Sequence, residues 1–154
     1  MVSAIGPRAS SAESSDAGEC EPFLLINRQR KHPVDRSSIL NFLSLLIADR
    51  SPGEPFSVVL VSDRAIHRYN REYRGQDKAT DVLSFPGDDA YLGDILISVE
   101  TAYDQARRSK VLTLDSNIRR LALHGLLHLM GYDHETDDGQ MRALEIRLRR
   151  RFRC

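Results

Sequence analysis

Three histidines fall within a short segment of the chain, His124–His134, which reads HGLLHLMGYDH. Their spacing is H-x-x-x-H-x-x-G-x-x-H, and imidazole is the commonest metal ligand among side chains. Residues four apart on a helix lie on one face, so His124 and His128 can bind a single ion. Gly131 stands where the helix would end, because glycine adopts left-handed backbone angles without a clash. The chain can then turn and bring His134 back as a third ligand.

Three protein ligands with one open position are typical of a catalytic zinc site and not of a closed structural site. The spacing therefore predicts one zinc ion per chain, held by His124, His128 and His134. Asp133 directly precedes the third histidine, and two roles are open for it. It either accepts a hydrogen bond from a ligating imidazole, which would orient that ring, or it is an ordinary turn aspartate.

Gly125 narrows the kind of chemistry that such a zinc ion would support. The same histidine spacing occurs in metzincin peptidases, where a glutamate follows the first histidine and acts as the general base. In this chain that position is a glycine. A missing general base commonly costs ~10²–10⁴-fold in rate. Because zinc lowers the pKa of its own water to about 7, Gly125 argues against a peptidase and favours another zinc-dependent hydrolysis.

A second segment, Asn70–Pro86, contains several groups that can bind a phosphodiester. The planar guanidinium of Arg74 matches the geometry of a phosphate, and the ammonium of Lys78 provides a point charge. Ser84 could contact substrate or hold the loop. The segment on its own also fits an ordinary surface loop, so these residues are candidates only in combination with the metal site.

The distribution of charge is more informative than its sum. The chain has 154 residues, of which 41% are hydrophobic, and its 22 basic and 22 acidic residues cancel. The total therefore does not indicate a nucleic-acid-binding protein. Five arginines nevertheless cluster near the C-terminus: Arg147, Arg149, Arg150, Arg151 and Arg153. A solvated helix end explains any single one of them, whereas an RNA-binding patch explains the cluster if the zinc site is present.

The remaining composition indicates an intracellular chain. Cys20 and Cys154 belong to no C-x-x-C pair, so a reducing compartment is the simpler interpretation. No apolar run reaches transmembrane length. Residues 1–22 are rich in serine, alanine, glycine and acidic residues, which predicts a disordered extension and not a targeting peptide. We expect a cytoplasmic protein without membrane association, with one domain over residues 23–154.

Hydrophobic periodicity predicts the element order β-α-β-α-β-β-α-α-α. Alternating strands and helices favour parallel pairing, and two adjacent strands within residues 81–98 predict an antiparallel edge. The expected fold class is α+β, with a small, mainly parallel mixed sheet of about four strands packed with about five helices. Asp35 is the expected N-cap of the first helix. The last helix is expected over residues 136–150, and it has four apolar positions: Met141, Leu144, Ile146 and Leu148.

Three segments together resemble the YbeY family of metal-dependent endoribonucleases, which act in ribosomal RNA maturation: HGLLHLMGYDH, YRGQDKATDVLSFP and YLGDILIS. They occur in the order typical of that family, and the resemblance covers residues 23–150. It implies a zincin-like metal helix, zinc held by the three histidines, and a functionally important arginine, which is Arg74 here. It also implies single-stranded RNA as substrate, namely ribosomal RNA precursors, and the small ribosomal subunit and its proteins as partners.

The residues and the resemblance together predict a zinc-dependent, single-strand endoribonuclease of ribosomal RNA maturation and ribosome quality control. Arg74 is the predicted catalytic residue, since a guanidinium can offset the charge that develops on a phosphate. Arg74, Lys78 and Ser84 are the predicted substrate contacts. Two alternatives stay open: a zinc hydrolase of another class, acting on peptides or small molecules, and a non-catalytic ribosome-assembly factor with a structural metal.

Overall fold

Four strands and five helices follow one another in the order expected from the sequence. The computed structural model describes residues 21–154. The elements are β1 Phe23–Asn27, α1 Arg36–Arg50, β2 Phe56–Val61, α2 Asp63–Arg74, β3 Val82–Pro86, β4 Gly93–Ser98, α3 Val99–Arg108, α4 Leu114–Leu129 and α5 Gln140–Phe152. The extension predicted over residues 1–22, which includes Cys20, lies outside the described residues except for its last two positions.

The strands form one mixed sheet in the order β1-β2-β4-β3. β1, β2 and β4 are parallel, while β3 pairs antiparallel with β4 at the edge, where Ser84 is opposite Ile95. The predicted mainly parallel sheet with an antiparallel edge is confirmed. All six residues of β2 are buried, as expected for a central strand that is covered on both faces.

The two faces of the sheet carry different helices. On one face, Ile66 of α2 packs in a cluster with Leu83 and Phe85 of β3. The opposite face packs against α1, α4 and α5 in the main hydrophobic core, to which Ile95 of β4 contributes. Successive side chains of a strand point to opposite faces, so Ser84 lies on the face that is covered by α4.

The helix ends follow from local hydrogen bonds. The carboxylate of Asp35 accepts a hydrogen bond from the backbone N–H of Ser38 at 3.0 Å, which confirms Asp35 as the N-cap of α1. α4 begins with a capping box in which Thr113 and Ser116 satisfy each other's backbone N–H groups. Within the described residues, no helix combines the length and the apolar character needed to cross a membrane.

The prediction for the last helix was wrong at its start, which was expected at residue 136. α5 begins at Gln140 because the carboxylate of Asp137 accepts hydrogen bonds from the backbone N–H groups of Gly139 and Met141, which holds the preceding residues in a turn. Ile146, one of the four apolar positions of the predicted helix, is 41% exposed. The neighbouring Glu145 is buried in its place, because it forms a polar contact with α4.

Candidate metal centre

The C-terminal half of α4 positions the first two histidines. His124 and His128 are one helical turn apart, and their Nε2 atoms lie 3.1 Å from each other. Leu123, Leu126 and Leu127 on the other sides of the helix are fully buried, so core packing fixes the rotation of α4 about its axis. The two imidazoles therefore face the same point from a rigid helix.

The end of α4 brings the third histidine to the same point. Gly131 has φ +96°, a left-handed conformation that favours glycine. Its N–H donates to the carbonyl of His128 at 3.0 Å, and the N–H of Tyr132 donates to the carbonyl of Leu127 at 3.0 Å. These two bonds form a Schellman motif, which ends the helix and reverses the chain. His134 follows directly and returns toward α4.

The three histidines converge on one another as the spacing predicts. Each can offer one ring nitrogen such that all three nitrogens lie within 4.8 Å of one another. Two nitrogens bound to one zinc ion at 2.0–2.1 Å in tetrahedral geometry are about 3.3 Å apart, and the Nε2 atoms of His124 and His128 nearly match this separation. His124 and His128 are half-buried and His134 is exposed, so the centre opens toward solvent. Three imidazole donors with an open side fit a catalytic metal ion.

The electrostatic surroundings keep His128 in the form that binds metal. Burial lowers the pKa of His128, and repulsion by His124 and His134 lowers that pKa further. An imidazole with a lowered pKa is neutral near pH 7, and the neutral ring is the metal ligand.

Glu145 of α5 orients His124 and was missed by the sequence analysis. Its carboxylate oxygens lie 3.2 and 3.3 Å from Nδ1 of His124 and also accept a hydrogen bond from Arg149. Burial acts to raise the pKa of Glu145, but the hydrogen bond with His124 and the charge of Arg149 outweigh it, so the pKa lies below its ordinary value. A carboxylate at Nδ1 keeps the proton there and leaves Nε2 free for a metal ion.

The hydrogen bonds of Asp133 fit the second of its two predicted roles, that of a turn aspartate. Its carboxylate accepts a hydrogen bond from the backbone N–H of Glu135 at 2.9 Å. The backbone N–H groups of Thr136 and Asp137 donate to its carbonyl. Asp133 is thus a turn aspartate that supports the segment carrying His134.

Gly125 is required by packing between α4 and the edge of the sheet. A Cβ atom at this position would lie 2.5 Å from Cγ2 of Ile95 and 3.0 Å from Oγ of Ser84. The hydroxyl of Ser84 donates to the carbonyl of Gly125 at 3.1 Å. The position that holds the general base in metzincins therefore faces the sheet at close range here, with no room for a glutamate. Ser84 therefore contacts the backbone of the residue that follows His124.

Arg74 and Lys78 lie on the other side of the edge strand. Arg74 is the last residue of α2, which ends at Gly75 with φ +67°, and both basic side chains are exposed. α2 covers the face of the sheet opposite to α4. The loop after Gly75 is held by Asn70, whose buried side-chain amide donates to the carbonyl of Lys78 at 2.9 Å. Ser84 thus contacts the helix that carries the first two histidines, whereas Arg74 and Lys78 belong to the layer formed by α2.

The fold and the histidine centre together define the class of this protein. It is an α+β protein in which a buried helix and the turn after it bring together three histidines that could hold a metal ion. Residues 25–153 match the family model described as endoribonuclease YbeY, and the chain belongs to this family. The family therefore supports an endoribonuclease role for this chain, which makes it a nuclease among the hydrolases.

Individual relatives agree with the family match. The chain is 43% identical over 122 residues to the endoribonuclease YbeY of Solibacter usitatus, covering 79% of this chain and 82% of that protein. It is 46% identical over 109 residues to the endoribonuclease YbeY of Nautilia profundicola, covering 69% of this chain and 75% of that protein. A solution structure from Thermotoga maritima is similar, with a TM-score of 0.57 and 28% identity over 80% of this chain and 85% of the other.

Proposed function

We propose that this protein is a zinc-dependent endoribonuclease that cleaves single-stranded RNA. Its substrates are precursors of ribosomal RNA, and its role is in rRNA maturation and ribosome quality control. It acts in the cytoplasm, where its partners are the small ribosomal subunit and its proteins. The family match supports RNA cleavage. The observation that carries the metal dependence is the convergence of His124, His128 and His134, with Glu145 behind the first of them.

The three histidines would hold one zinc ion per chain. When bound, zinc supplies a Lewis acid for the phosphate and lowers the pKa of a coordinated water to about 7. Glu145 keeps the proton of His124 on Nδ1, so that its Nε2 stays unprotonated. The exposed position of His134 leaves the side of the centre open on which an RNA strand can approach.

Arg74, Lys78 and Ser84 are proposed to contact the RNA from the edge of the sheet. The guanidinium of Arg74 would bind the phosphate in a bidentate manner and offset the charge that develops on it during cleavage. Lys78 would bind a neighbouring phosphate as a point charge. The hydroxyl of Ser84 donates to the carbonyl of Gly125, which would keep β3 in place against the ligand-bearing helix.

The proposal is tested by cleavage of a fluorescently labelled single-stranded RNA with the purified protein. We expect cleavage with zinc, its loss on chelation, its return when zinc is added back, and its absence in His128→Ala. The matched control is His32→Ala, which changes a histidine outside the centre that stacks on Tyr103. RNA cleavage that survives chelation, or peptide hydrolysis with intact RNA, would overturn the proposal.

The role of Arg74 is tested separately. Removal of one electrostatic donor from a transition state commonly costs about 10²–10³-fold in kcat, so Arg74→Ala is expected to reduce kcat on RNA by at least about a hundredfold. Arg64→Ala is the control, because Arg64 is also an exposed arginine on α2. Equal rates for the two variants would remove Arg74 from the mechanism and leave the metal dependence untouched.

A further inference from the structure

A groove lies between the start of α4 and the end of α5 and is separate from the predicted substrate contacts. Its volume is about 430 Å³, and four arginines line it: Arg120, Arg149, Arg150 and Arg153. We call it the arginine groove. Three of these residues belong to the C-terminal cluster for which the sequence left two interpretations open, namely a solvated helix end and an RNA-binding patch.

The side chains that line the arginine groove carry a net positive charge. None of the described residues that line it is acidic. The nearby carboxylate of Glu145 is already engaged by His124 and Arg149. Burial raises the pKa of the Cys154 thiol at the groove, so at neutral pH its sulfur adds no negative charge. Like charges held together in this way repel one another, and a bound anion would relieve that repulsion.

Two further observations show that the arginines are not simply solvated. Burial, followed by the positive charge of Arg149, lowers the pKa of Arg120. Among the described residues, the two buried side-chain polar atoms without a hydrogen-bond partner are Nε of Arg119 and Nε of Arg149. Arg149 therefore keeps one unused donor, Nε, in addition to its ion pair with Glu145.

The apolar part of the arginine groove fits a nucleotide better than a small inorganic anion. Val111 is 86% exposed and Ile146 is 41% exposed, and both line the groove together with Leu112. Exposed aliphatic side chains beside guanidinium groups provide a surface for the flat face of a base, while the arginines bind phosphate. This also explains why Ile146 points away from the core.

The arginine groove lies beside the metal centre along the same two helices. Ser116, Arg120, His124 and His128 follow one another at intervals of four on α4, so they form one row. On α5, Glu145, Arg149 and Arg153 form a second row, and Glu145 contacts His124. One step of such a row is about 6 Å along the helix axis. A strand at the histidines therefore reaches the arginine groove within a few nucleotides.

We propose that the arginine groove binds the backbone of the single-stranded RNA substrate, at phosphates beyond the cleaved bond. This inference rests on the proposed function, because the RNA strand is the anion that would lie at the metal centre. The groove then acts as a substrate-binding surface that sets RNA affinity and takes no part in bond cleavage.

The test removes two exposed arginines of the groove that do not contact Glu145. The groove variant is Arg150→Gln/Arg153→Gln, which removes two positive charges. The control variant is Arg64→Gln/Arg68→Gln, which removes two positive charges from α2 on the other side of the sheet. Binding of zinc-loaded protein to a labelled, cleavage-resistant 2′-O-methyl RNA is measured by fluorescence anisotropy at several salt concentrations. Each lost phosphate contact lowers the salt slope on single strands by about 0.7, so the groove variant should lose about 1.4.

Affinity at moderate salt should fall about tenfold in the groove variant and stay unchanged in the control. With cleavable RNA, KM should rise by a similar factor while kcat stays within about twofold. Arg150→Lys/Arg153→Lys should restore the salt slope, because each lysine keeps its charge.

An unchanged affinity and salt slope in the groove variant would overturn this inference, as would an equal loss in the control. A different result would reject the proposed function, namely that the wild-type protein shows no metal-dependent cleavage of RNA. Altered RNA binding without any cleavage would support the groove and reject the activity.

Discussion

Glu145 determines which nitrogen of His124 is available to a metal ion. Its carboxylate accepts from Nδ1, and Arg149 holds the same carboxylate from one turn further along α5. Carboxylates in this position fix the tautomer and the orientation of a ligating ring, and their removal commonly lowers metal affinity 10–100-fold. The two-helix contact between α4 and α5 therefore includes a polar element that acts on the metal centre.

We expect Glu145→Gln to lower the zinc affinity by about 10–100-fold, because an uncharged amide orients the imidazole less strongly. The measurement is a competition titration against a chromophoric chelator. Glu72→Gln is the matched control, since it removes an exposed carboxylate from α2. The same affinity in the two variants would show that Glu145 has only a packing role.

Gly125 gives a second prediction for a single residue. In an open helix, replacement of glycine by alanine stabilises by about 1 kcal/mol. Here the added methyl group would lie 2.5 Å from Cγ2 of Ile95, so Gly125→Ala should destabilise by about 1–3 kcal/mol in urea denaturation. The double variant with Ile95→Ala should show a favourable coupling energy, because the second change removes the clashing group. A more stable Gly125→Ala protein would contradict the close packing.

The sequence predicted the three histidines that converge but not Glu145, which contacts the first of them. The three histidines are neighbours in the chain, so the periodicity of one helix and one glycine is enough to relate them in space. Glu145 reaches His124 across 21 positions, through the packing of α5 on α4. The sequence did contain one indication that Glu145 is buried. Glu145 is four residues after Met141 and three before Leu148, so it lies on the buried face of α5. For Asp133 the sequence left two roles open, and the hydrogen bond that its carboxylate accepts from the backbone N–H of Glu135 fits the turn aspartate.

The turn after α4 is the element that places the third ligand. It depends on Gly131, whose φ of +96° is strained for any residue with a side chain, although space around its Cβ position is open. Gly53 offers a close match, because it has φ +91° and equally open surroundings in the loop between α1 and β2. The two glycines share one backbone constraint and differ only in their distance from the histidines along the chain.

We expect Gly131→Ala and Gly53→Ala to destabilise the protein by similar amounts, on the order of 1–2 kcal/mol each. Only Gly131→Ala should also weaken zinc binding, because the strained turn moves His134. Thermal denaturation and the chelator titration measure the two effects independently. Zinc affinities that change equally in both variants would mean that the Schellman turn does not position the ligand.

At the scale of elements, the sequence was accurate about order and less accurate about boundaries. The spacing of apolar residues predicted all nine elements. A strand or helix that buries one face has apolar residues at every second position or at every third to fourth position, respectively. The start of α5 was wrong because a side chain, Asp137, competes for the backbone N–H groups that would begin the helix earlier. Ile146 is exposed although it is apolar, whereas the neighbouring Glu145 is buried and contacts His124 of α4.

At the scale of the whole molecule, metal binding should add to the stability of the fold. The three ligands come from α4 and from the turn that leads to α5, so an ion would connect two parts of the main core. A ligand present at 100 times its Kd stabilises the folded state by about 2.7 kcal/mol. In a protein of this size, each kcal/mol raises Tm by about 2–4 °C.

We therefore expect saturating zinc to raise Tm by about 5–10 °C, measured by differential scanning fluorimetry of protein first treated with a chelator. His128→Ala should abolish this shift, whereas His32→Ala should keep it, since His32 stacks on Tyr103 away from the centre. A shift that persists without His128 would place the stabilising ion elsewhere.

Two of the three histidines lie on a buried helix and the third lies on an exposed turn. This difference bears on how fast the protein would bind and release a metal ion. His124 and His128 are fixed by a helix that cannot move without disturbing the main core, whereas His134 is on an exposed turn. If the three histidines hold an ion, we expect it to exchange with the medium by displacement of His134, while His124 and His128 keep their positions. The half-life of the loaded state would then depend on the opening of a few residues after Gly131 and not on global unfolding.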